Sequence, residues 1–372
     1  MRALLSIAFI CSSGFAGAVE LANSNNGRQA LEEQGCLGCH NFQVRPRSDA
    51  PGVLSKRRLS ATRLAAAIWS HAPTIWHARE QRSFTVLSAP QAYDLVAWFM
   101  AAGYFEQQGS VRKGGILFEA EGCLKCHAVI GKPAASPDNA GPPLSSWNTV
   151  TDPVPFLKAI WSHAPVMRAA MDRKQMNWPS LSSQEMGDIL AYAGAVAGRP
   201  KDPELVLGDP EKGKAILRMR ECASCHNGKL LVGSEPRDHT LTELSATLWD
   251  HAPMMMNFPP SLNGSEISNL LAFLWQSGYF EMPGNAVHGK AVFEEKSCAL
   301  CHQASKQNTP FPGREGFDAA RMIAALWSHP PQVIEQARGK GIVWPRFDAV
   351  EMADLIAYIR NGNASRWQIE PR

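Results

Sequence analysis

Four times the chain sets two cysteines three positions apart and follows the second with a histidine. The motifs are CLGCH at 36–40, CLKCH at 123–127, CASCH at 222–226 and CALCH at 298–302. Two thiols at this spacing lie along one edge of a flat ring and can form thioethers with its two vinyl groups. The next residue, histidine, then sits below the central metal. This is the attachment pattern of a c-type haem. It makes Cys36, Cys39, Cys123, Cys126, Cys222, Cys225, Cys298 and Cys301 the covalent anchors, and His40, His127, His226 and His302 the iron ligands on one side. One such motif would also suit half of a zinc site or a disulfide. Four of them, at the same place in a repeated unit, favour four haems.

A second histidine pattern keeps step with the first. WSHAP occurs at 69–73 and 161–165, WDHAP at 249–253 and WSHPP at 327–331. His71, His163, His251 and His329 are the one ligand-competent side chain, besides the CxxCH histidines, that recurs in register in all four units. A helix such as AARMIAALWSH (319–329) is expected to end at this histidine, because the proline that follows cannot continue it. The imidazole then projects from a helix end toward the ring. The tryptophan two places earlier either covers a ring edge or packs in the core. The alternative is that the motif marks a helix end beside the haem without touching iron.

The elements that must carry these residues are also repeated. Gly27, Gly114, Gly213 and Gly289 each stand nine residues before a first cysteine, with a short helix-like stretch between, as in GKAVFEEKSC. Each unit closes on a capping box: Ser88/Gln91, Ser182/Glu185, Asn263/Glu266 and Asp348/Glu351. Apolar residues follow at helical spacing, Ile267, Leu270, Leu271 and Leu274 in the third unit, Met352, Leu355, Ile356 and Ile359 in the fourth. An aromatic joins each stripe, at Trp98, Tyr192, Phe273 and Tyr358. Asp188 and Asp354 on these helices read as solvated faces. Linker-like breaks fall at 106–110, 198–210 and 281–285. The expected fold is all-α, with four tandem helical units at 24–106, 107–199, 205–282 and 283–363. Units this small have little core of their own, and a buried flat apolar ring would supply much of it.

These features resemble the class I cytochrome c family: the glycine-led first helix, CxxCH, and the capped last helix ending in stretches such as EMADLIAYI (351–359). In the second unit GPPL (141–144) is similar to the turn in which a proline carbonyl receives the proximal histidine's Nδ1–H. Pro51 is the candidate for that role in the first unit; the third and fourth match poorly. The resemblance covers nearly the whole chain after its leader, once per unit, and implies small helical haem domains carrying single electrons. It also implies a methionine as the second iron ligand shortly before the last helix. Met176 and Met256 stand there in the second and third units, with Met171 a further alternative, but Arg82 and Ile342 occupy the place in the first and fourth. The tryptophan-linked histidines are therefore the expected second ligands, and the choice matters because a thioether raises the reduction potential relative to a second imidazole.

The remaining features set the context. Residues 1–18, MRALLSIAFICSSGFAGA, have the layout of a secretory signal peptide with Ala16 and Ala18 before the cut; an uncleaved anchor helix is the other reading. Beyond it no apolar run is long enough to span a bilayer. Lys and Arg number 37 against 34 Asp and Glu, without a basic tail or stripe, which argues against nucleic acid as a partner. His77, His239 and His288 have no counterparts in other units and read as surface or incidental. The expectation is an exported, periplasmic four-haem electron carrier with redox partner proteins, more a carrier than an enzyme. The alternatives are a multihaem reductase or oxidase with one open iron (for peroxide, small oxyanions or sulfur compounds), the haem subunit of a membrane respiratory complex, or one bead of a polymeric cytochrome wire.

Overall fold

The computed structural model describes residues 21–42, 59–79, 86–129, 141–148, 152–198, 204–220, 222, 226, 238–251, 262–302, 316–327 and 331–361. The proposed leader at 1–18 lies outside them. The described chain is helical, and pairing between extended segments is limited to two isolated bridges, Asn23 with Val206 and His127 with Gly141. No described helix is long and apolar enough to cross a membrane.

One crossing recurs along the chain. In the first unit α1 (Ser24–Glu33) packs on α3 (Ala89–Ala101), and α2 (Ala61–Arg79) is the intervening helix. In the second, α4 (Val111–Ala120) packs on α6 (Ser183–Ala197), with α5 (Pro153–Arg173) between them in the chain. In the third, α7 (Pro210–Met219) meets α9 (Gly264–Gln276), with α8 (Leu241–His251) between. In the fourth, α10 (Ala286–Glu295) meets α13 (Ala349–Asn361), with α11 (Ala319–Trp327) and α12 (Pro331–Gly339) between.

The repeated glycines make these crossings close. A Cβ placed on Gly114 would fall against the Asp188 carbonyl, 2.5 Å from its carbon, and 2.8 Å from Tyr192 Cβ. Gly27, Gly213 and Gly289 meet Trp98, Phe273 and Tyr358 in the same way, each 2.8 Å from the aromatic residue's Cβ. The aromatics of the apolar stripes thus sit on the glycines of the first helices, where no larger residue leaves room for two backbones to touch.

All four capping boxes form. Ser88, Ser182 and Asn263 each accept from the backbone N–H three residues on, and the Gln91, Glu185 and Glu266 side chains reach back. Asp348 and Glu351 exchange the same bonds at 2.8 and 3.0 Å.

Two expectations change. Asp188 and Asp354 are buried, not solvated. Asp188 Oδ1 accepts from the Ser110 N–H at 2.6 Å and Asp354 Oδ1 from Asn285 N–H at 2.6 Å. Asp94 and Asn269 do the same for Asn23 and Asp209, at 2.7 Å each. In every unit the last helix therefore holds the residue that caps the first, and the burial is offset by a hydrogen bond to a backbone donor that would otherwise be orphaned.

The second change concerns the W-x-H-x-P helices. α2 and α5 do not stop at their prolines but run through Pro73 and Pro165. An internal proline removes one helix bond and crowds the carbonyl four residues back, yet a helix survives where packing holds both sides. α8 ends at His251, and Ser328, His329 and Pro330 lie outside the described residues.

The chain folds back on itself. α11 packs on α2 and α3, and α13 packs on α2, so the fourth unit lies against the first. α5 packs on α9 and α8, and α6 on α8, so the second lies against the third. One core runs through the first, third and fourth units, from Leu64, Tyr93 and Phe99 through Leu271 and Trp275 to Ile323 and Met352. A smaller one, around Phe118, Leu144, Leu181 and Ile189, serves the second and takes in Ala246 of α8.

Linker glutamates tie these bodies together. Glu106 accepts from the N–H groups of Leu241 and Thr242 at 3.0 and 3.3 Å, at the start of α8. Glu281 accepts from Ala319 N–H at 2.8 Å, at the start of α11, and pairs with Arg360 at 3.0 Å. Carboxyl oxygens at helix N-termini meet N–H donors that have no partner within the helix.

Candidate metal centres

Each described CxxCH motif is a single tight turn. His40, His127 and His302 donate their backbone N–H to the carbonyl of the first cysteine at 2.9 Å, and His226 does so at 2.7 Å. A left-handed residue precedes the turn where the backbone is described: Gly35 at φ 67°, Gly122 at φ 77° and Ser297 at φ 64°. The first helix therefore ends two residues short of the motif and delivers both cysteines and the histidine into one helical turn.

The second histidines come to the first. His40 and His71 have ring centres 6.2 Å apart, His127 and His163 5.7 Å, and His226 and His251 5.5 Å. Two imidazoles bound to opposite sides of one metal at about 2 Å each put their ring centres roughly 6 Å apart. The three described pairs thus stand at about the spacing that two imidazoles holding one iron would need; His329, the fourth, lies outside the described residues. His163 Nε2 is buried without a hydrogen bond among the described residues, as a nitrogen kept for a metal would be.

Four of these imidazoles are pushed toward the neutral form. Burial lowers the pKa of His40, His127, His163 and His226, and the neighbouring imidazole of the pair adds to the effect for His40, His163 and His226. A ligating histidine must present an unprotonated nitrogen, so this is the form needed. His127 has a further support. Its Nδ1 lies 2.8 Å from the Pro142 carbonyl, and Gly141 sits so close under the ring that a Cβ there would be 2.7 Å from Nδ1. GPPL therefore does in the structure what its likeness to the family turn implied, fixing the tautomer and orienting Nε2. Pro51, its suggested counterpart, lies outside the described residues.

Three of the first cysteines are partly shielded, whereas Cys39 and Cys301 are exposed. Burial raises Cys123 and Cys298 to about 11 and raises Cys222 as well. No disulfide forms among the described cysteines, and no group of three or more His, Cys, Asp or Glu converges as a metal cage among the described residues. Cys225 lies outside them.

Two of the three methionine alternatives are described. Met176 Cε packs beside Gly122, 3.1 Å from where a Cβ would stand, on the flank of Cys123. Met171 is buried in α5. His163 is the side chain whose ring stands next to His127. Met256 lies outside the described residues. Of the incidental histidines, His288 is exposed as expected, while His239 is mostly buried and stacks on Tyr279 with ring centres 4.4 Å apart.

Sequence reasoning missed the linker glutamates and the in-register Asp94, Asp188, Asn269 and Asp354. The second group had a signal: each lies four residues before the aromatic of its stripe, the spacing of one helix face.

Compared with known proteins, residues 111–194 match the family model for cytochrome c. That match implies a covalently bound c-type haem with its iron in this segment. No curated protein and no solved structure matches the chain.

Proposed function

Taking the cytochrome c domain at residues 111–194 as the premise, we propose that the whole chain is an exported four-haem electron carrier with histidine on both sides of each iron. The observation that carries this is the repeated imidazole pair: His40 with His71, His127 with His163, His226 with His251. His302 and His329 complete the set by register.

The haem iron supplies the chemistry, taking up and giving back one electron. The chain's own residues do the rest. Cys36/Cys39 and their three counterpart pairs anchor, the paired imidazoles ligate, and the Pro142 carbonyl orients His127. The cores around Phe99 and Phe118 exclude water. The carrier reading needs no acid, base or nucleophile, and an open-iron enzyme would need a unit without its second imidazole. Redox partner proteins on the exported side, free or in a membrane respiratory complex, are the partners this reading calls for.

The test is the intact mass of the mature holoprotein with the absorption and low-temperature electron paramagnetic resonance (EPR) spectra of its oxidised form. Four attached haems, all low-spin and without a far-red methionine-to-iron band, are expected. His163→Ala then produces a high-spin signal while Met176→Ala leaves the spectrum unchanged. A methionine band abolished by Met176→Ala would overturn histidine ligation in the second unit, and a high-spin iron in the wild type would favour an enzyme.

A further inference from the structure

The W-x-H-x-P motif of the first unit contains a gap in its own helix. Pro73 follows Trp69 by four residues and has no N–H to give to the Trp69 carbonyl. That carbonyl accepts instead from Trp344 Nε1 of the fourth unit, at 3.0 Å and 275 residues away. The Trp69 indole returns the bond, donating to the Pro345 carbonyl at 2.8 Å. The two indoles stack with centres 4.5 Å apart. Ser70, the residue between tryptophan and histidine, adds a third tie as its Oγ accepts from Phe347 N–H at 3.2 Å.

The same figure stands between the third and second units. The Trp249 carbonyl, four residues before Pro253, accepts from Trp178 Nε1 at 3.2 Å, and Trp249 Nε1 donates to the Pro179 carbonyl at 2.8 Å. The rings are again 4.5 Å apart. Asp250 takes the place of Ser70, accepting from Leu181 N–H at 3.0 Å. Trp178-Pro179 and Leu181 correspond in sequence to Trp344-Pro345 and Phe347.

We propose that these clamps position the second histidine of one unit from the loop of another: Trp344 sets His71, and Trp178 sets His251. The reading rests on the histidine ligation argued above. His71 is exposed, so its own side chain has little packing to hold it. Both residues immediately before it are fixed by the fourth unit. His251 follows two residues fixed by the second. The choice of partners is written in the chain. The units that supply the clamp carry Trp178 and Trp344, whereas the first and third have Phe84 and Phe258 at that place, rings with no N–H to donate. Donors therefore come from the second and fourth units, and acceptors from the third and first.

The experiment is Trp344→Phe in the full-length holoprotein, which keeps an aromatic ring and removes the N–H, compared with His71→Ala and with the double variant. The readouts are the EPR spectrum and the haem midpoint potentials. The expected result is a shift in one low-spin signal and one potential, the same that His71→Ala abolishes, with no added change when the two are combined. Pro73→Ala gives the Trp69 carbonyl a helix donor again and should move the same signal. The proposal is overturned if Trp344→Phe leaves that signal unchanged, or shifts another one equally with and without His71. If His71→Ala alone alters no signal, histidine ligation in the first unit falls and the proposal with it. Trp178→Phe against His251→Ala gives the same test at the second clamp should the first variant fail to fold.

Discussion

Replacing Gly114 by alanine tests the helix crossing directly. In an exposed helix this substitution helps, because alanine is the better helix former by about 1 kcal/mol. At Gly114 the new methyl would lie 2.5 Å from the Asp188 carbonyl carbon and 2.8 Å from Tyr192 Cβ. Ordinary carbon–carbon contact is about 3.5–4.0 Å, so α4 and α6 must part by roughly 1 Å. The obstacle is backbone, which cannot swing aside as a side chain can. The move also stretches the bond from Ser110 N–H to Asp188, now 2.6 Å. Overpacking of this kind costs about 1–3 kcal/mol, and a weakened buried hydrogen bond about 1 kcal/mol more. Set against the helix gain, the net loss is about 1–3 kcal/mol. Gly264 is the control: it begins α9, and a Cβ there meets nothing within 4 Å. Gly264→Ala should be neutral or stabilising by up to about 1 kcal/mol. Thermal unfolding of the two variants, followed by circular dichroism, should therefore move in opposite directions. If Gly114→Ala is as stable as the parent, the close crossing is not what the glycine is for.

Two further outcomes follow from buried carboxylates. Asp354→Asn should be close to neutral, since Asn269 already does this work in the third unit, whereas Asp354→Ala leaves the Asn285 N–H unsatisfied and costs about 1–3 kcal/mol in urea unfolding. Glu281 is raised to about 7 by burial first and by the nearby Asp318 second, against the lowering effect of Arg360. The folded protein then keeps a proton that the unfolded chain releases near pH 4.5. Its contribution to stability is whole below that pH and is lost as pH rises toward 7, by up to about 1.4 kcal/mol per pH unit. Glu281→Gln should flatten that part of the melting-temperature profile; an unchanged slope would remove Glu281 as its source.

Much of this architecture was legible because it is written four times. The capping boxes, the glycines nine residues before each first cysteine and the paired histidines are local spacings, and local spacing is what helical periodicity reports. The proline after the histidine misled in the first and second units for the same reason. Seen alone it ends a helix, yet α2 continues past Pro73, where the Trp69 carbonyl takes its hydrogen bond from Trp344, 275 residues away. Asp188 and Asp354 misled because a carboxylate on a helix usually faces water, and nothing adjacent in sequence shows that the N–H it serves belongs to the start of its own unit. The fold-back of the fourth unit onto the first had no local signature beyond the alternation of tryptophan and phenylalanine in the loops.

The separation of the two clamps in sequence has a consequence for how the molecule is put together. Trp178 and Trp249 are 71 residues apart, while Trp69 must wait for a partner 275 residues further along the chain. Closing the longer loop is entropically dearer, and a chain made from its N-terminus presents that partner last. The middle of the protein can thus settle while its beginning is still incomplete. The segment synthesised first is among the last to reach its final shape, and a chain cut short before residue 344 would lack the clamp that completes its opening unit.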